Sequence, residues 1–176
     1  KGNEVTPFKY SGISDSTCDI GRGLPVTAFK NGKEIYLFKK GTEIIELSFD
    51  YLETISSKNF IYKKNEKWGI TDSTFKDLLP TKYESLSYFD NNTLITKLNN
   101  KIGFIDHKGK EIAPCVFQET GNQFDHESKL LSAKKDGKWG MINKMGKTII
   151  SFEYDSIGVI KEGFVKVGKR KTKTEY

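Results

Sequence analysis

The chain has few of the residues that build metal sites, disulfide frameworks and nucleic-acid contacts. Its 176 residues include two Cys, two His and two Arg. Small disulfide-stabilised domains carry more cysteines, and neither Cys18 nor Cys115 has a second Cys or a His at metal-ligand spacing. The two thiols are therefore either free and half-buried or joined in a single disulfide between distant parts of the chain.

Long apolar runs and helical periodicity are missing as well. No run of 18 apolar residues occurs, so we expect no membrane-spanning helix. No stretch of 12 residues places apolar side chains at helical spacing. Aromatic residues, in contrast, make up 12% of the chain, and these side chains suit half-buried strands. The composition therefore indicates an all-β protein.

A four-residue motif occurs three times. Lys67-Trp68-Gly69-Ile70 returns as Lys101-Ile102-Gly103-Phe104 and as Lys138-Trp139-Gly140-Met141, at spacings of 34 and 37 residues. Counting back by 34 from the first copy reaches a weaker copy at Lys33, in which Glu34-Ile35 replaces Trp-Gly. An aromatic residue follows each of the three strong copies at a fixed distance: Tyr83, Phe117 and Tyr154. A period of this length is typical of arrays of small supersecondary units.

The repeat gives the expected organisation of the chain. We predict one domain, 1–176, with units at approximately 1–32, 33–66, 67–100, 101–137 and 138–171 and a partial unit at 172–176. In each unit an apolar strand leads into a two-residue polar turn, the motif strand returns antiparallel, and a third strand follows a second turn. The predicted fold is all-β, with tandem three-stranded antiparallel units of about 34 residues in an open solenoid-like array or a small five-bladed propeller.

These residues resemble the bacterial WG-repeat (KWG-repeat) proteins. The unit of that family combines Gly-Lys-Trp-Gly, an apolar strand, a Gly-Lys turn, an apolar pair and Tyr-Asp. The third copy contains all of these parts: Gly137-Lys138-Trp139-Gly140, Met141-Ile142-Asn143, Gly146-Lys147, Ile149-Ile150 and Tyr154-Asp155. The resemblance covers nearly the whole chain, and it implies a β-rich, propeller-like or solenoid-like interaction module.

The Trp-Gly pair has two interpretations. As a packing device, Gly lets a neighbouring backbone approach closely and Trp covers the gap as part of the core. Alternatively, Trp68 and Trp139 form an aromatic platform for a ligand. Ile102 takes the Trp position in the middle copy, and an apolar substitute favours the packing role.

The net charge of +6 is concentrated towards the end of the chain. The candidate partner-binding residues there are Lys166, Lys169, Arg170, Lys171 and Lys173. They form either a solvated lysine surface or a basic face for a glycan or another anionic polymer. The scarcity of Arg argues against nucleic acid as the partner, because bidentate contacts to phosphate and guanine favour Arg.

The insertion that lengthens one repeat to 37 residues supplies the second candidate site, Asp125-His126-Glu127. A single loop offers too few ligands for a closed metal site, so we expect a partner contact and no metal. No acid–base pair and no phosphate-binding Gly motif stands out in the chain. We therefore expect no catalytic residues and no cofactor.

An extended repeat surface without a catalytic constellation favours a non-enzymatic protein–protein interaction module or scaffold subunit in a larger bacterial assembly. The alternative is a ligand-binding domain that holds a glycan or another anionic polymer on its basic face. The chain begins at Lys1 and not at Met, which is compatible with a removed leader. We expect an extracytoplasmic or envelope-associated location in preference to a cytoplasmic one.

Overall fold

The computed structural model describes residues 10–13, 25–56, 58–90, 92–122, 124–125 and 127–170. Every regular element within these ranges is a β-strand. The chain divides into two compact units, Lys1–Thr81 and Lys82–Tyr176. The predicted all-β class and the repeated antiparallel organisation are confirmed.

The first unit contains two four-stranded sheets. One has the order β1-β2-β3-β4, with β1 Gly12–Ile13, β2 Val26–Lys30, β3 Lys33–Lys40 and β4 Glu43–Leu47. The other has the order β5-β6-β7-β8, with β5 Tyr51–Thr54, β6 Asn59–Lys64, β7 Lys67–Asp72 and β8 Asp77–Tyr83. Phe75 joins their apolar side chains, because its ring lies 4.6 Å from Phe38 of β3 and 5.9 Å from Phe60 of β6.

The second unit contains two further four-stranded sheets and a hairpin. The first sheet has the order β12-β11-β10-β9, with β9 Ser85–Asp90, β10 Thr93–Leu98, β11 Lys101–Asp106 and β12 Glu111–Phe117. The second has the order β13-β14-β15-β16, with β13 Glu119–Thr120, β14 Leu130–Lys135, β15 Lys138–Asn143 and β16 Thr148–Tyr154. The hairpin pairs β17 Ser156–Lys161 with β18 Phe164–Gly168.

Each sheet thus has four strands where the sequence indicated three. The additional strand is the segment that follows the repeated aromatic residue. In β9 this segment pairs antiparallel with β10, and β5 pairs with β6 in the same way. The alternation of apolar and polar residues is weak there, which is why the sequence pattern did not reveal a strand.

The core of the second unit lies between its two large sheets. Phe104, Ala113 and Phe117 of one sheet and Leu131, Ala133 and Ile142 of the next form one buried cluster. Complete burial of such a side chain stabilises the fold by about 1.5–3 kcal/mol for the larger residues. The packing of one sheet on the next therefore supplies most of the stability of this unit.

The turns before the motif strands have the predicted geometry. Both central residues have positive φ in each of these pairs: Asn31-Gly32, Asn65-Glu66, Asn99-Asn100 and Asp136-Gly137. This is the pattern of the type I′ turn. A side chain that follows the repeated aromatic residue accepts an N–H from the turn: Asn65 donates to Asp50 at 2.8 Å, Asn99 to Glu84 at 2.9 Å and Gly137 to Gln118 at 2.7 Å.

The motif glycine permits a close approach of the next strand. A Cβ at Gly69, Gly103 or Gly140 would lie 2.6, 2.8 or 2.6 Å, respectively, from a backbone atom of that strand. The strand register shifts at Gly103 and at Gly140. Ile35 occupies the same position in the weak copy, and there β3 and β4 pair without a shift. The predicted role of the glycine is confirmed.

The prediction that the motif Trp belongs to the core is wrong. Trp68 and Trp139 are half-buried, because each is the second residue of its strand and lies beside an exposed turn. The Trp68 ring lies 5.4 Å from that of Tyr51, and the ammonium of Lys134 lies 5.7 Å from the centre of the Trp139 ring.

The thiol of Cys115 is free, and its Sγ lies 3.3 Å from Oγ1 of Thr96. Cys18, the other residue of the predicted pair, lies outside the described residues. The part of the chain that the structure describes contains no helix long and apolar enough to cross a membrane.

Candidate functional site

A surface pocket lies between the insertion loop and the last hairpin of the second unit, with a volume of about 350 Å³. It is lined by three residues of β17 and by residues of the insertion loop, β14 and β15: Gly158, Val159, Ile160, Gly121, Asn122, Asp125, Leu130, Ser132 and Met141. Met141 is 2% exposed and belongs to the buried base of the sheet, whereas Val159 is 73% exposed. The pocket therefore combines an apolar base and an apolar rim with a few polar side chains.

Hydrogen bonds hold Asp125 in the pocket wall. Its Oδ1 accepts the N–H of Ser128 at 2.8 Å and the hydroxyl of Ser128 at 2.7 Å. Its backbone N–H donates to the carbonyl of Leu130 at 2.7 Å. These contacts fix the direction of the carboxylate, as an Asx turn commonly does. Glu127 of the same candidate site is exposed, and His126 lies outside the described residues.

Part of the positive charge of the basic end is already compensated. The ammonium of Lys169 lies 2.6 Å from Oε2 of Glu153. The hydrogen bond between these two side chains lowers the pKa of Glu153 and raises the pKa of Lys169. Lys166 on β18 is exposed to solvent. Lys171 and Lys173 lie outside the described residues.

Asp155 serves as a cap for the chain after β18. It accepts the backbone N–H of Arg170 at 2.7 Å and the ammonium of Lys138 at 2.6 Å. These two hydrogen bonds lower the pKa of Asp155. Arg170 thus holds the turn position that Asn65 and Asn99 hold in earlier copies, and its backbone has a structural role.

The structure brings one of the predicted site residues into the pocket. Asp125 is part of the lining, and the other described candidates, Glu127, Lys166, Lys169 and Arg170, are not. Within the described ranges, no three His, Cys, Asp or Glu side chains lie close enough together to hold a metal ion.

Sequence analysis did not identify Ser132, Met141 or Val159 as site residues. A signal for two of them was present in the repeat. Ser132 pairs with Met141 across β14 and β15, as Ile95 pairs with Phe104 across β10 and β11. Both residues of the later pair are smaller or more polar, so a comparison of the copies would have pointed to missing volume at this place.

Comparison with known proteins identifies the repeat. A family model described as the WG containing repeat matches residues 39–68, 102–139 and 139–171, which together make up more than half of the chain. No curated protein gives a significant match. The matched segments include the Trp-Gly or Ile-Gly strands and the turns that follow them. The chain belongs to the WG containing repeat family.

Proposed function

We propose that this chain is a non-enzymatic protein-interaction module and that it works as one part of a larger bacterial assembly. The pocket beside the insertion loop carries the proposal, because it joins an apolar base and rim to a fixed carboxylate. Pockets with mainly apolar walls and a small number of placed polar groups are typical of binding sites. The described lining contains no Cys, His, Lys or Tyr that could act as a nucleophile or general base.

Exposed apolar side chains on the last hairpin support a protein as the partner. Val159 is 73% exposed, Phe164 is 80% exposed and Val167 is 38% exposed. Large apolar side chains that gather on one part of a surface mark interaction sites more often than a few scattered ones do. Val159 also lines the pocket, so the exposed apolar surface and the pocket meet.

The basic end gives less support to an anionic polymer as the partner. Lys169 is paired with Glu153, and Asp155 takes Lys138 and the backbone of Arg170. Carboxylates placed among the cations weaken the field that a polyanion would experience.

The experiment compares two variants of the full chain. Val159→Asp places a charge on the pocket rim, and Met145→Asp does the same at an 80% exposed residue of the turn between β15 and β16, outside the pocket lining. The immobilised wild-type chain should capture a protein partner in a stoichiometric amount from an extract of its source. We expect Val159→Asp to lose at least nine-tenths of that partner and Met145→Asp to retain it.

Two outcomes contradict the proposal. One is the absence of any stoichiometric partner for the wild-type chain, and the other is an equal loss in both variants. Elution from a heparin column in a salt gradient tests the alternative partner. Retention that falls for Lys166→Ser, without any protein partner, favours the anionic polymer.

A further inference from the structure

The pocket occupies a place that is filled one repeat earlier. Three of its residues have larger counterparts in the preceding sheet: Asn122 stands where Tyr88 stands, Ser132 where Ile95 stands and Met141 where Phe104 stands. The strand pairing supports two of these equivalences, because Ile95 faces Phe104 as Ser132 faces Met141. The pocket therefore arises from a local loss of side-chain volume in one copy of the repeat.

Aromatic rings occupy the earlier place. Phe89 lies 5.1 Å from Phe104 and 5.4 Å from Phe124, measured between ring centres. Allowing for the insertion, Ile160 of the pocket wall stands where Phe124 stands in the preceding copy. Two of the three ring positions thus have aliphatic side chains at the pocket. The volume of about 350 Å³ is sufficient for one ring, since a cavity of about 150 Å³ already holds benzene.

A cation accompanies the rings in the earlier place. The ammonium of Lys144 lies 3.0 Å from Oδ2 of Asp90 and 5.4 Å from the centre of the Phe124 ring. Asp125 is the counterpart of Asp90 and lines the pocket. Oδ1 of each carboxylate accepts a backbone N–H from the turn that follows, from Asn92 in one case and from Ser128 in the other. The carboxylates are therefore held in the same way.

We infer that the pocket binds a peptide segment of a partner protein that places an aromatic side chain in the pocket and a Lys or Arg side chain against Asp125. The inference rests on the proposed function and names the chemistry of the partner. The ring would take the volume that Phe104 and Phe124 fill in the preceding copy. The cation would complement the Asp125 carboxylate and lie over the ring, as Lys144 does.

The probe is the peptide acetyl-Gly-Phe-Gly-Lys-Gly-amide, in which Phe and Lys lie on the same side of an extended chain. Its controls replace Phe by Ala or Lys by Glu. Binding is measured by NMR on the methyl groups of Met141 and Val159. We expect the Ala peptide to bind about tenfold more weakly or worse, because the buried ring supplies most of the apolar contact. We also expect the Glu peptide to bind more weakly than the Lys peptide.

Protein variants locate the binding. Met141→Phe and, separately, Ser132→Ile restore residues of the preceding copy, so each should fill the pocket and reduce binding at least fivefold in a folded chain. Asp125→Asn keeps the Oδ1 acceptor for Ser128 and removes the charge. We expect it to abolish the preference for Lys over Glu while the ring still binds. The amide spectrum of each variant checks that the fold is intact.

Three outcomes would overturn the inference. The first is binding of the Ala and Glu peptides as strong as that of the parent peptide. The second is binding that shifts neither the Met141 nor the Val159 methyl signals. The third is a homodimer in solution that Met141→Phe abolishes, since the occupant would then be a second copy of the chain. If the partner capture described above depends on Val159 while the peptides fail, the interaction function stands and only the chemistry of the occupant is wrong.

Discussion

Gly140→Ala is a direct test of how the repeat motif shapes the sheet. A Cβ at this position would lie 2.6 Å from the carbonyl oxygen of Ile150 and 2.9 Å from the ring of Phe152. The oxygen belongs to the backbone of β16, which is paired with β15 on both sides of this point. Relief of the clash therefore requires the strand to move and its ladder hydrogen bonds to lengthen.

The expected loss is about 2 kcal/mol of the free energy of unfolding of the second unit. Overpacking of a well-packed region costs about 1–3 kcal/mol, and a backbone obstacle places this site at the upper end of that range. The substitution also restricts the unfolded chain, which returns about 0.4–1 kcal/mol. Urea unfolding followed by Trp139 fluorescence measures the second unit, provided that Trp68→Phe is introduced in every sample.

Gly158→Ala is the matched control. A Cβ there would meet its nearest atom, the carbonyl oxygen of Lys166, at 3.5 Å, which is an ordinary contact. We expect this variant to unfold within about 0.5 kcal/mol of the parent, as surface substitutions usually do. The reasoning is refuted if Gly140→Ala also stays within that range, or if Gly158→Ala loses as much as Gly140→Ala.

Two further predictions concern a backbone exception and an ion pair. Phe75 has a φ of 62° where other copies have Gly, and its ring packs on Phe38; Phe75→Gly should relieve about 1 kcal/mol of backbone strain but lose about 2–3 kcal/mol of ring packing, so that urea unfolding shows a net destabilisation of the first unit. Burial alone would raise the pKa of Asp90, but hydrogen bonds from Asn92 and Lys144 outweigh it and lower that pKa. Its stabilisation is therefore complete at neutral pH and is lost as the pH falls through the lowered pKa. Asp90→Asn should cost about 0.5 kcal/mol at pH 7, a small value because the pair is partly exposed, and nothing near pH 2; an equal difference at both pH values would contradict the assignment.

The parts of the fold that repeat could be predicted from the sequence. Turn pairs such as Asn99-Asn100 and Asp136-Gly137 favour positive φ through local chemistry alone, and the structure has it. The role of Gly103 and Gly140 followed from the absence of a side chain beside a large residue. Both inferences depend on a few neighbouring residues, so sequence patterns suffice for them.

The half-buried Trp rings could not be predicted in the same way. The motif places Trp139 at the start of a strand, but its exposure depends on how far the adjacent sheets extend beyond that strand. Phe75 is a similar case, because the repeat calls for Gly at its position and only the ring contacts with Phe38 and Phe60 explain a bulky residue there. Contacts between sheets decided both cases, and such contacts join residues that are far apart in the sequence.

The pocket follows from the same distinction between what repeats and what varies. A residue that every copy needs for stacking on the next sheet cannot also distinguish one copy from another. Specific binding must therefore use positions at which one copy departs from the others, and Ser132 and Met141 do so beside an insertion that exists in that copy alone. Such departures leave a void that costs stability unless something fills it. The earlier copy fills the place with its own rings and Lys144, and this is the physical reason to expect that a ring and a cation from a partner would fill it here.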